Sequence, residues 1–200
     1  VVFMKKPLII VRTLLLVTTS ISCSATVQNK IDSAASKMED SIMDKTYVKA
    51  EGVDVIYLAG GCFWGMEKLI ATLHGVTDVT SGYANGHTTN PTYEYVCSGD
   101  SGYREAVRVQ YNPEKISLDM ILFTFFSAID PTVQNKQGND IGSQYQSGIY
   151  YVDDSSKEIV KHIANIEQER YNPFAVEITP LTSFYSAEEY HQDYLDKNPS

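Results

Sequence analysis

A short apolar run that stops at two glycines is the strongest structural signal in this chain. Residues 54–59 are rich in β-branched and large apolar side chains, and Gly60 and Gly61 follow, which predicts a buried strand ending in a tight turn. Apolar residues then recur at helical spacing over residues 62–73, and Gly75 comes next, which is typical of a helix and its end. A strand, a tight turn and a helix in direct succession predict a sheet with a helix packed on it.

Strands and helices continue to alternate irregularly along the rest of the chain. Further strands are predicted at residues 76–83, 106–111, 148–152 and 175–178, and helices at 91–96, 118–129, 155–171 and 186–195. Ser117 is the expected cap of one helix, and Ser155 or Ser156 is the expected start of the next. Because several connections are too short for a helical crossover, we expect mixed strand directions. The prediction is an α+β fold, a two-layer sandwich of a mixed sheet covered by helices with a ferredoxin-like core.

Composition narrows the class of protein. With 43% apolar and 20% charged residues among 200, the chain can bury a core, which excludes disorder throughout. The formal charge of −9 argues against binding to a nucleic acid backbone, which needs a basic face. The chain has only three cysteines and no C-x-x-C pair, so no disulfide framework is expected. No metal site is predicted either, because the histidines show no ligand-like pairing; they are His74, His87, His162 and His191.

The N-terminal residues are predicted to be a targeting signal rather than part of the folded domain. Residues 1–23 combine a basic start, an apolar stretch and small residues, which is typical of an export signal. We expect export to the cell envelope or periplasm, either as a lipoprotein tethered to a membrane through Cys23 or after cleavage following Ala25. Residues 24–53 are polar and are predicted to be a linker, with a docked helix as the alternative. The folded domain is expected to span residues 54–200.

Cys62 is the residue most suited to chemistry. It is predicted to lie at the first turn of a helix, where the helix dipole and free backbone N–H groups stabilise a thiolate. Phe63 and Trp64 follow directly and would place aromatic surface around the sulfur. The alternative is a small buried cysteine within an aromatic core. The position after two glycines at a strand-to-helix junction favours a reactive thiol.

The residues around Cys62 also resemble a known family. The run Gly-Cys-Phe-Trp-Gly-x-Glu at residues 61–67 is similar to the active-site signature of the A-type peptide methionine sulfoxide reductases. Further blocks resemble the same family in the same order, and they lie at residues 82–86, 91–99, 105–107, 137–145 and 187–192. The resemblance covers residues 54–198, which is nearly all of the predicted domain.

Reduction of a sulfoxide needs a thiolate that attacks sulfur, an acid that protonates oxygen and an apolar slot for the methyl group. The resemblance implies Cys62 as the nucleophile, Glu105 as the acid, Tyr93 and Tyr145 as hydroxyls that bind the oxygen, Phe63 and Trp64 as the methyl slot, and Asp140 as a polar residue that orients water or a hydroxyl. A carboxyl walled by aromatic rings would have a raised pKa and stay protonated near neutral pH. Taken alone, Glu105 could instead pair with Arg104 on the surface, Asp140 could cap a turn, and Glu67 is expected to be a helix-surface charge.

The implied function is the reduction of methionine (S)-sulfoxide, free or in oxidised proteins, through a sulfenic acid on Cys62. Such an enzyme would repair oxidative damage, would need no bound cofactor, and would depend on an external thioredoxin-like thiol reductant. We expect it to act as a monomer. Many members of the family carry resolving cysteines near the C-terminus, and none lies between Cys97 and Ser200. Either the sequence continues, or another molecule regenerates the thiol, or Cys97 does so. Cys97 is expected to be buried, which places it last.

Two other functions remain open at this stage. A cysteine-dependent hydrolase or acyltransferase would need a histidine base beside Cys62, for which His191 or His87 is the natural candidate. His191 is otherwise expected to be a structural histidine or a pocket residue. A non-catalytic, envelope-anchored module that binds peptides through the aromatic residues is the third. Substitution Cys62→Ser separates these functions, because binding could survive it and reduction could not.

Overall fold

Four antiparallel strands form the centre of the sheet in the computed structural model, which describes residues 43–44 and 50–199. The strands of this part of the chain are β1 (Met43–Asp44), β2 (Asp54–Ala59), β3 (Val76–Ala84), β4 (Arg104–Tyr111), β5 (Lys136–Gln137), β6 (Asp140–Ile141), β7 (Gly148–Tyr151), β8 (Glu177–Pro180) and β9 (Ser183–Ser186). The central four lie in the order β7-β2-β4-β3, with a helix between β2 and β3 and another between β4 and β7. This is a βαββαβ unit, so the predicted ferredoxin-like core is confirmed.

The edges of the sheet carry both strand directions. Strand β9 pairs antiparallel with β3, whereas β1 runs parallel to β9 and β8 runs parallel to β7. Strands β5 and β6 form a separate two-stranded hairpin. The sheet is therefore mixed, as expected, and the fold is α+β.

Helices cover the sheet and bury their apolar faces on it. They are α1 (Phe63–Ala71), α2 (Tyr93–Cys97), α3 (Leu118–Ala128), α4 (Asp154–Arg170) and α5 (Tyr194–Lys197), with short 3-10 helices at Ser143–Tyr145 and Glu189–His191. In α1, Phe63, Met66 and Ile70 repeat every three to four residues and are all buried against the sheet. Each large apolar side chain removed from water in this way contributes about 1.5–3 kcal/mol to folding.

The caps of two helices can be compared with prediction. Ser117 accepts a hydrogen bond from the backbone N–H of Met120 at 3.3 Å, which confirms it as the cap of α3. The helix α4 begins one residue earlier than expected, because Asp153 is its cap. The Asp153 carboxylate accepts a hydrogen bond from the N–H of Ser156 at 2.7 Å, which places Ser156 at the third helical position.

The predicted helix at residues 186–195 is wrong. Residues 183–186 form strand β9, and the N–H of Ala187 still donates to the carbonyl of Ser81 at 2.9 Å, so the chain continues along β3. A 3-10 turn follows, and Asp193 has a φ of 51°, a left-handed conformation that interrupts any helix before α5. Pairing with the exposed edge of β3 outweighs the local helical tendency of this segment.

The predicted export segment and most of the predicted linker lie outside the described residues, so both stay predictions. The same holds for lipidation of Cys23. Within the described part of the chain, the helices are too short or too polar to cross a membrane.

Candidate active site

The site is built around the turn between β2 and α1, which presents Cys62. Cys62 is the residue immediately before the first turn of α1 and is half-buried. Gly61 has a φ of 82°, a conformation that favours glycine, and a Cβ there would lie 2.6 Å from Cβ of Gln137. Glycine is needed at position 61 for two reasons. The turn requires a left-handed backbone conformation, and the β5–β6 hairpin packs so closely against the turn that it leaves no room for a side chain.

A cavity of about 370 Å³ opens beside this turn. Its lining combines the thiol turn, one side of α1 and the hairpin, and comprises Gly60, Cys62, Gly65, Met66, Leu69, Ala128, Gln137, Gly138 and Asp140. Two predicted site residues, Cys62 and Asp140, thus face the same cavity although they lie far apart in the chain. The strand β6 carries Asp140 to this position, so the residue lies in a strand that borders the cavity rather than in the turn.

Cys62 is a protonated thiol in the resting protein. Burial raises its pKa from 9.0 to about 11, with contributions from the charges of Glu105 and Asp140 and opposing ones from the backbone N–H groups of Trp64 and Gly65. The expected stabilisation by the helix N-terminus is therefore present, but loss of solvation and two nearby carboxylates outweigh it. A thiolate must form during the reaction rather than before it.

Glu105 is the buried acid of the site. Its residue is 1% exposed on β4, and its Oε2 accepts a hydrogen bond from the backbone N–H of Phe63 at 3.2 Å. Burial raises the pKa of Glu105 from 4.5 to about 7, with a contribution from Asp140 and an opposing one from the Phe63 N–H. Arg104, the alternative partner considered above, instead pairs with Glu177 at 2.9 Å. Glu105 therefore carries a proton over a useful range near neutral pH.

Two phenol hydroxyls lie near these groups. Tyr145 is half-buried in the 3-10 helix at Ser143–Tyr145. Its pKa is raised to about 12, mainly by burial and also by the charges of Glu105, Asp140, Cys97 and Cys62. Tyr93 begins α2 and is also half-buried. Burial raises the pKa of Tyr93, and a hydrogen bond with the Cys97 thiol adds to this effect. Both hydroxyls stay protonated at neutral pH and can donate hydrogen bonds.

Phe63 and Trp64 belong to an aromatic cluster next to the thiol. The Phe63 ring is buried, with its centroid 6.0 Å from Tyr83 and 5.0 Å from His191. The Trp64 ring stacks on Tyr194 at 3.6 Å with an interplanar angle of 8°. Trp64 is thus fixed on one face, with little freedom to rotate.

His191 holds the indole of Trp64 in place. Its Nδ1 accepts a hydrogen bond from Trp64 Nε1 at 3.1 Å, so the proton of the neutral ring lies on Nε2. The residue is 1% exposed, and burial lowers its pKa from 6.5, which keeps it neutral. His191 therefore lies within the aromatic cluster next to the thiol, and the described residues show no hydrogen bond from it to Cys62. His87 is exposed on a loop. Among residues 50–199, no hydrogen bond places a histidine beside Cys62 as the base that a cysteine hydrolase needs.

Glu188 was not predicted from the sequence, yet it connects β3 to the start of α2. Glu188 accepts a hydrogen bond from the Tyr83 hydroxyl at 2.7 Å and another from the backbone N–H of Tyr93 at 3.0 Å. Burial alone would raise its pKa, but these hydrogen bonds and the nearby His191 lower it, so Glu188 is ionised. Glu188 lies in one of the family-like blocks, and that membership is the only sequence signal of its role.

Two expectations about burial are wrong. Cys97 is exposed, because it is the last residue of α2 and the neighbouring Val96 carries the buried face of that short helix. Glu67 is 3% exposed rather than a surface charge, because it lies one turn after Phe63 on the buried face of α1. Burial raises the pKa of Glu67, and contacts with Ser81 oppose this effect.

The described residues contain no group of three or more His, Cys, Asp or Glu side chains able to hold a metal ion. A thiol, a buried proton-carrying carboxyl, two phenol hydroxyls and an aromatic wall on an α+β scaffold define a thiol-dependent enzyme. The geometry suits attack by sulfur next to an atom that must be protonated.

Comparison with known proteins gives the family. A family model described as peptide methionine sulfoxide reductase matches residues 54–200. The peptide methionine sulfoxide reductase MsrA of Clostridium acetobutylicum is 47% identical over 146 residues, covering 72% of this chain and 90% of that protein. The chain therefore belongs to the peptide methionine sulfoxide reductase family, which confirms the predicted family and the predicted class of enzyme.

Solved structures agree with this assignment. The crystal structure of Mxr1 from Saccharomyces cerevisiae in reduced form has a TM-score of 0.74 and 38% identity, covering 80% of this chain and 93% of that chain. The same yeast protein in complex with Trx2 has a TM-score of 0.54 and 28% identity, covering 75% of this chain and 91% of that chain.

Proposed function

We propose that this enzyme reduces the S epimer of methionine sulfoxide, free or within oxidised proteins, with Cys62 as the nucleophile. The observation that carries the assignment of roles is the position of Glu105. Its buried carboxyl is held by the N–H of the residue that follows Cys62, and its pKa is raised to about 7. A protonated carboxyl beside the thiol is what sulfoxide reduction needs and what simple peptide binding does not.

The residues of the site account for every atom and electron of the reduction step. The Cys62 sulfur attacks the sulfoxide sulfur, while a proton passes to the sulfoxide oxygen with Glu105 as the acid. The S–O bond breaks and the oxygen passes to Cys62 as a sulfenic acid, which releases methionine. Sulfoxide gains two electrons and Cys62 loses two. The overall step is Cys–SH plus sulfoxide giving Cys–SOH plus sulfide.

The other residues position the substrate. The hydroxyls of Tyr93 and Tyr145 donate to the sulfoxide oxygen as it gains negative charge. Phe63 and Trp64 enclose the methyl group, and the stack on Tyr194 with the hydrogen bond to His191 keeps the indole at its place. Asp140, which lines the cavity together with Cys62, orients water or a hydroxyl.

The sulfenic acid is returned to the thiol by an external dithiol of the thioredoxin type. Two thiols supply two electrons, the dithiol becomes a disulfide, and water leaves. That a yeast relative forms a complex named with Trx2 supports this partner. The exposure of Cys97 makes it a second candidate for the first exchange step.

A single turnover tests the proposal. Reduced protein is mixed with the S or the R epimer of a blocked methionine sulfoxide, without reductant, and methionine is counted per protein. One equivalent from the S epimer alone, a sulfenic acid on Cys62, and no product from Cys62→Ser are expected. A Cys62–Cys97 disulfide would assign the resolving step to Cys97. No methionine from folded, reduced protein would contradict the proposal.

We also propose that residues 1–23 direct export to the cell envelope or periplasm. The basic start and apolar stretch of that segment support this. Cell fractionation of the full chain tests it, with Cys23→Ser as the matched variant. Loss of membrane association in Cys23→Ser would indicate lipidation, whereas full recovery of the unprocessed chain in the cytoplasm would contradict export.

A further inference from the structure

The aromatic cluster of the site continues outward to an exposed ring. Tyr190 is 57% exposed, and its ring centroid lies 4.2 Å from that of His191. The other side of His191 faces Tyr93 at 4.5 Å. Tyr190 is thus two ring-to-ring steps from a hydroxyl of the catalytic pocket and is open to solvent.

Two carboxylates, those of Glu94 and Glu188, act on this ring. Glu94 follows Tyr93 on α2 and is exposed, and its carboxylate forms no ion pair or hydrogen bond with another residue in the described part of the chain. Burial raises the pKa of Tyr190, and Glu188 and Glu94 raise it further, so both carboxylates act on the ring. Glu94 also acts on His191 and Cys97. The neighbouring Glu189 differs, because Lys197 already pairs with it at 3.4 Å.

We propose that Tyr190 and Glu94 form a subsite for a lysine or arginine side chain that flanks the oxidised methionine in a polypeptide substrate. This inference rests on the proposed function. An exposed aromatic face beside an unpaired carboxylate binds a cation through both its quadrupole and its charge. The net charge of −9 adds attraction for basic segments over a longer range.

An extended polypeptide substrate is long enough to contact both the catalytic pocket and this subsite. The ring centroids of Trp64, Tyr93 and Tyr190 lie 5.7, 4.5 and 4.2 Å from that of His191, so a chain bound with its sulfoxide near Cys62 and Tyr93 has the aromatic cluster beside it. Each further residue of an extended chain adds about 3.3–3.6 Å. A basic side chain one to three residues from the sulfoxide can therefore meet the Tyr190–Glu94 subsite, whereas free methionine sulfoxide cannot reach it.

The test compares blocked peptides that differ only in the residues flanking one methionine (S)-sulfoxide. The flanks are Lys, Gln or Glu, placed before or after the sulfoxide, and blocked methionine sulfoxide without flanks is the reference for each variant. The wild-type kcat/KM should be about 3- to 10-fold higher for a Lys peptide than for its Gln counterpart, and lowest for Glu. Glu94→Gln and Tyr190→Ala should each bring the Lys/Gln ratio towards one.

A control separates a local subsite from the overall charge. Glu158→Gln removes one exposed carboxylate on α4, outside the site, and should leave both the reference activity and the Lys/Gln ratio unchanged. An equal fall of the ratio in Glu158→Gln and Glu94→Gln would overturn the subsite. So would a wild-type ratio of one, or a ratio that survives both Glu94→Gln and Tyr190→Ala.

Binding to Cys62→Ser gives a readout besides turnover. Trp64 is the only tryptophan of the chain, so its fluorescence reports peptide binding directly. The Lys peptide should bind more tightly than the Gln peptide, and added salt should reduce the difference. Equal affinities would overturn the subsite even if the enzyme is active. No reduction of the unflanked reference by wild type would instead contradict the proposed function itself.

Discussion

At the scale of single residues, the site must move one proton between two groups. With pKa values of about 7 for Glu105 and about 11 for Cys62, the pair holds one proton over that whole interval, and in the resting enzyme Cys62 carries it. The reactive form has the same number of protons, with the thiolate formed and Glu105 protonated. The population of this reactive form is therefore constant between pH values of about 7 and about 11. It falls below that range, where the pair gains a proton, and above it, where the pair loses one.

This arrangement predicts the pH dependence of kcat/KM. In the wild type the rate should rise tenfold per pH unit in acid and level off above a pH of about 7, because Glu105 releases its proton there. Glu105→Gln should be about 10²- to 10⁴-fold slower near neutral pH and should keep rising in alkali, since only thiolate formation then matters. Stopped-flow single turnovers at low sulfoxide concentration measure both profiles. A plateau at the same pH in Glu105→Gln would contradict the assignment.

At the scale of elements, the position of Cys62 depends on contact between one turn and one hairpin. Gly61 lets the β5–β6 hairpin approach the start of α1, and this hairpin carries Asp140 to the cavity. Gln137 ties the hairpin to the chain before and after it, because its amide donates to the carbonyl of Asp130 at 2.8 Å and to the hydroxyl of Ser147 at 2.9 Å. Neither strand of the hairpin is longer than two residues, so its place is set by these contacts.

Two alanine substitutions in the same motif should therefore act in opposite directions. Gly61→Ala should lower the free energy of unfolding by about 1–2 kcal/mol or more, because it combines a left-handed φ with a clash against Gln137. Gly65→Ala lies in an exposed helical position with no atom within 4 Å of the new Cβ, and should raise it by about 0.5–1 kcal/mol. Urea unfolding measures both. A Gly61→Ala protein as stable as the wild type would show that the turn tolerates a side chain.

At the scale of the whole molecule, Glu188 links three parts of the chain that are far apart in sequence. It joins the end of β3, the start of α2 and the segment after β9. The same segment supplies His191 and Tyr194, which hold Trp64. Folding of the C-terminal segment against β3 therefore completes the pocket that begins at Cys62.

Removing the Glu188 side chain should destabilise the fold more than removing that of the neighbouring Glu189. Glu188→Ala should lower the free energy of unfolding by about 1–2 kcal/mol, because it leaves the Tyr83 hydroxyl and the Tyr93 N–H without their acceptor. Glu189→Ala removes only an exposed ion pair with Lys197 and should change it by less than about 1 kcal/mol. Urea unfolding of the matched pair tests this, and equal effects would contradict the role of Glu188.

Periodicity and turn residues were sufficient for the elements of the central unit. The strand at 54–59, the capped helix after Ser117 and the strand-helix alternation all follow from local signals, since burial on a sheet and helix capping act over a few residues. The β5–β6 hairpin, strand β9 and the broken C-terminal helix could not be predicted in this way. Each depends on pairing with a distant edge, and the local signal there is weak or points to a helix.

The sequence by itself determined the family and the class of fold, and it paired Cys62 with Glu105, whose carboxyl the structure places at the N–H of the residue after Cys62. The family-like motifs contain both Cys62 and Glu105 in the expected order, so the two residues could be identified together without any coordinates. Only the tertiary structure decided their protonation, the burial of Glu67, the exposure of Cys97 and the link made by Glu188. The physical reason is that solvation, charge–charge distance and hydrogen-bond partners are properties of neighbours in space, which neighbours in sequence do not specify.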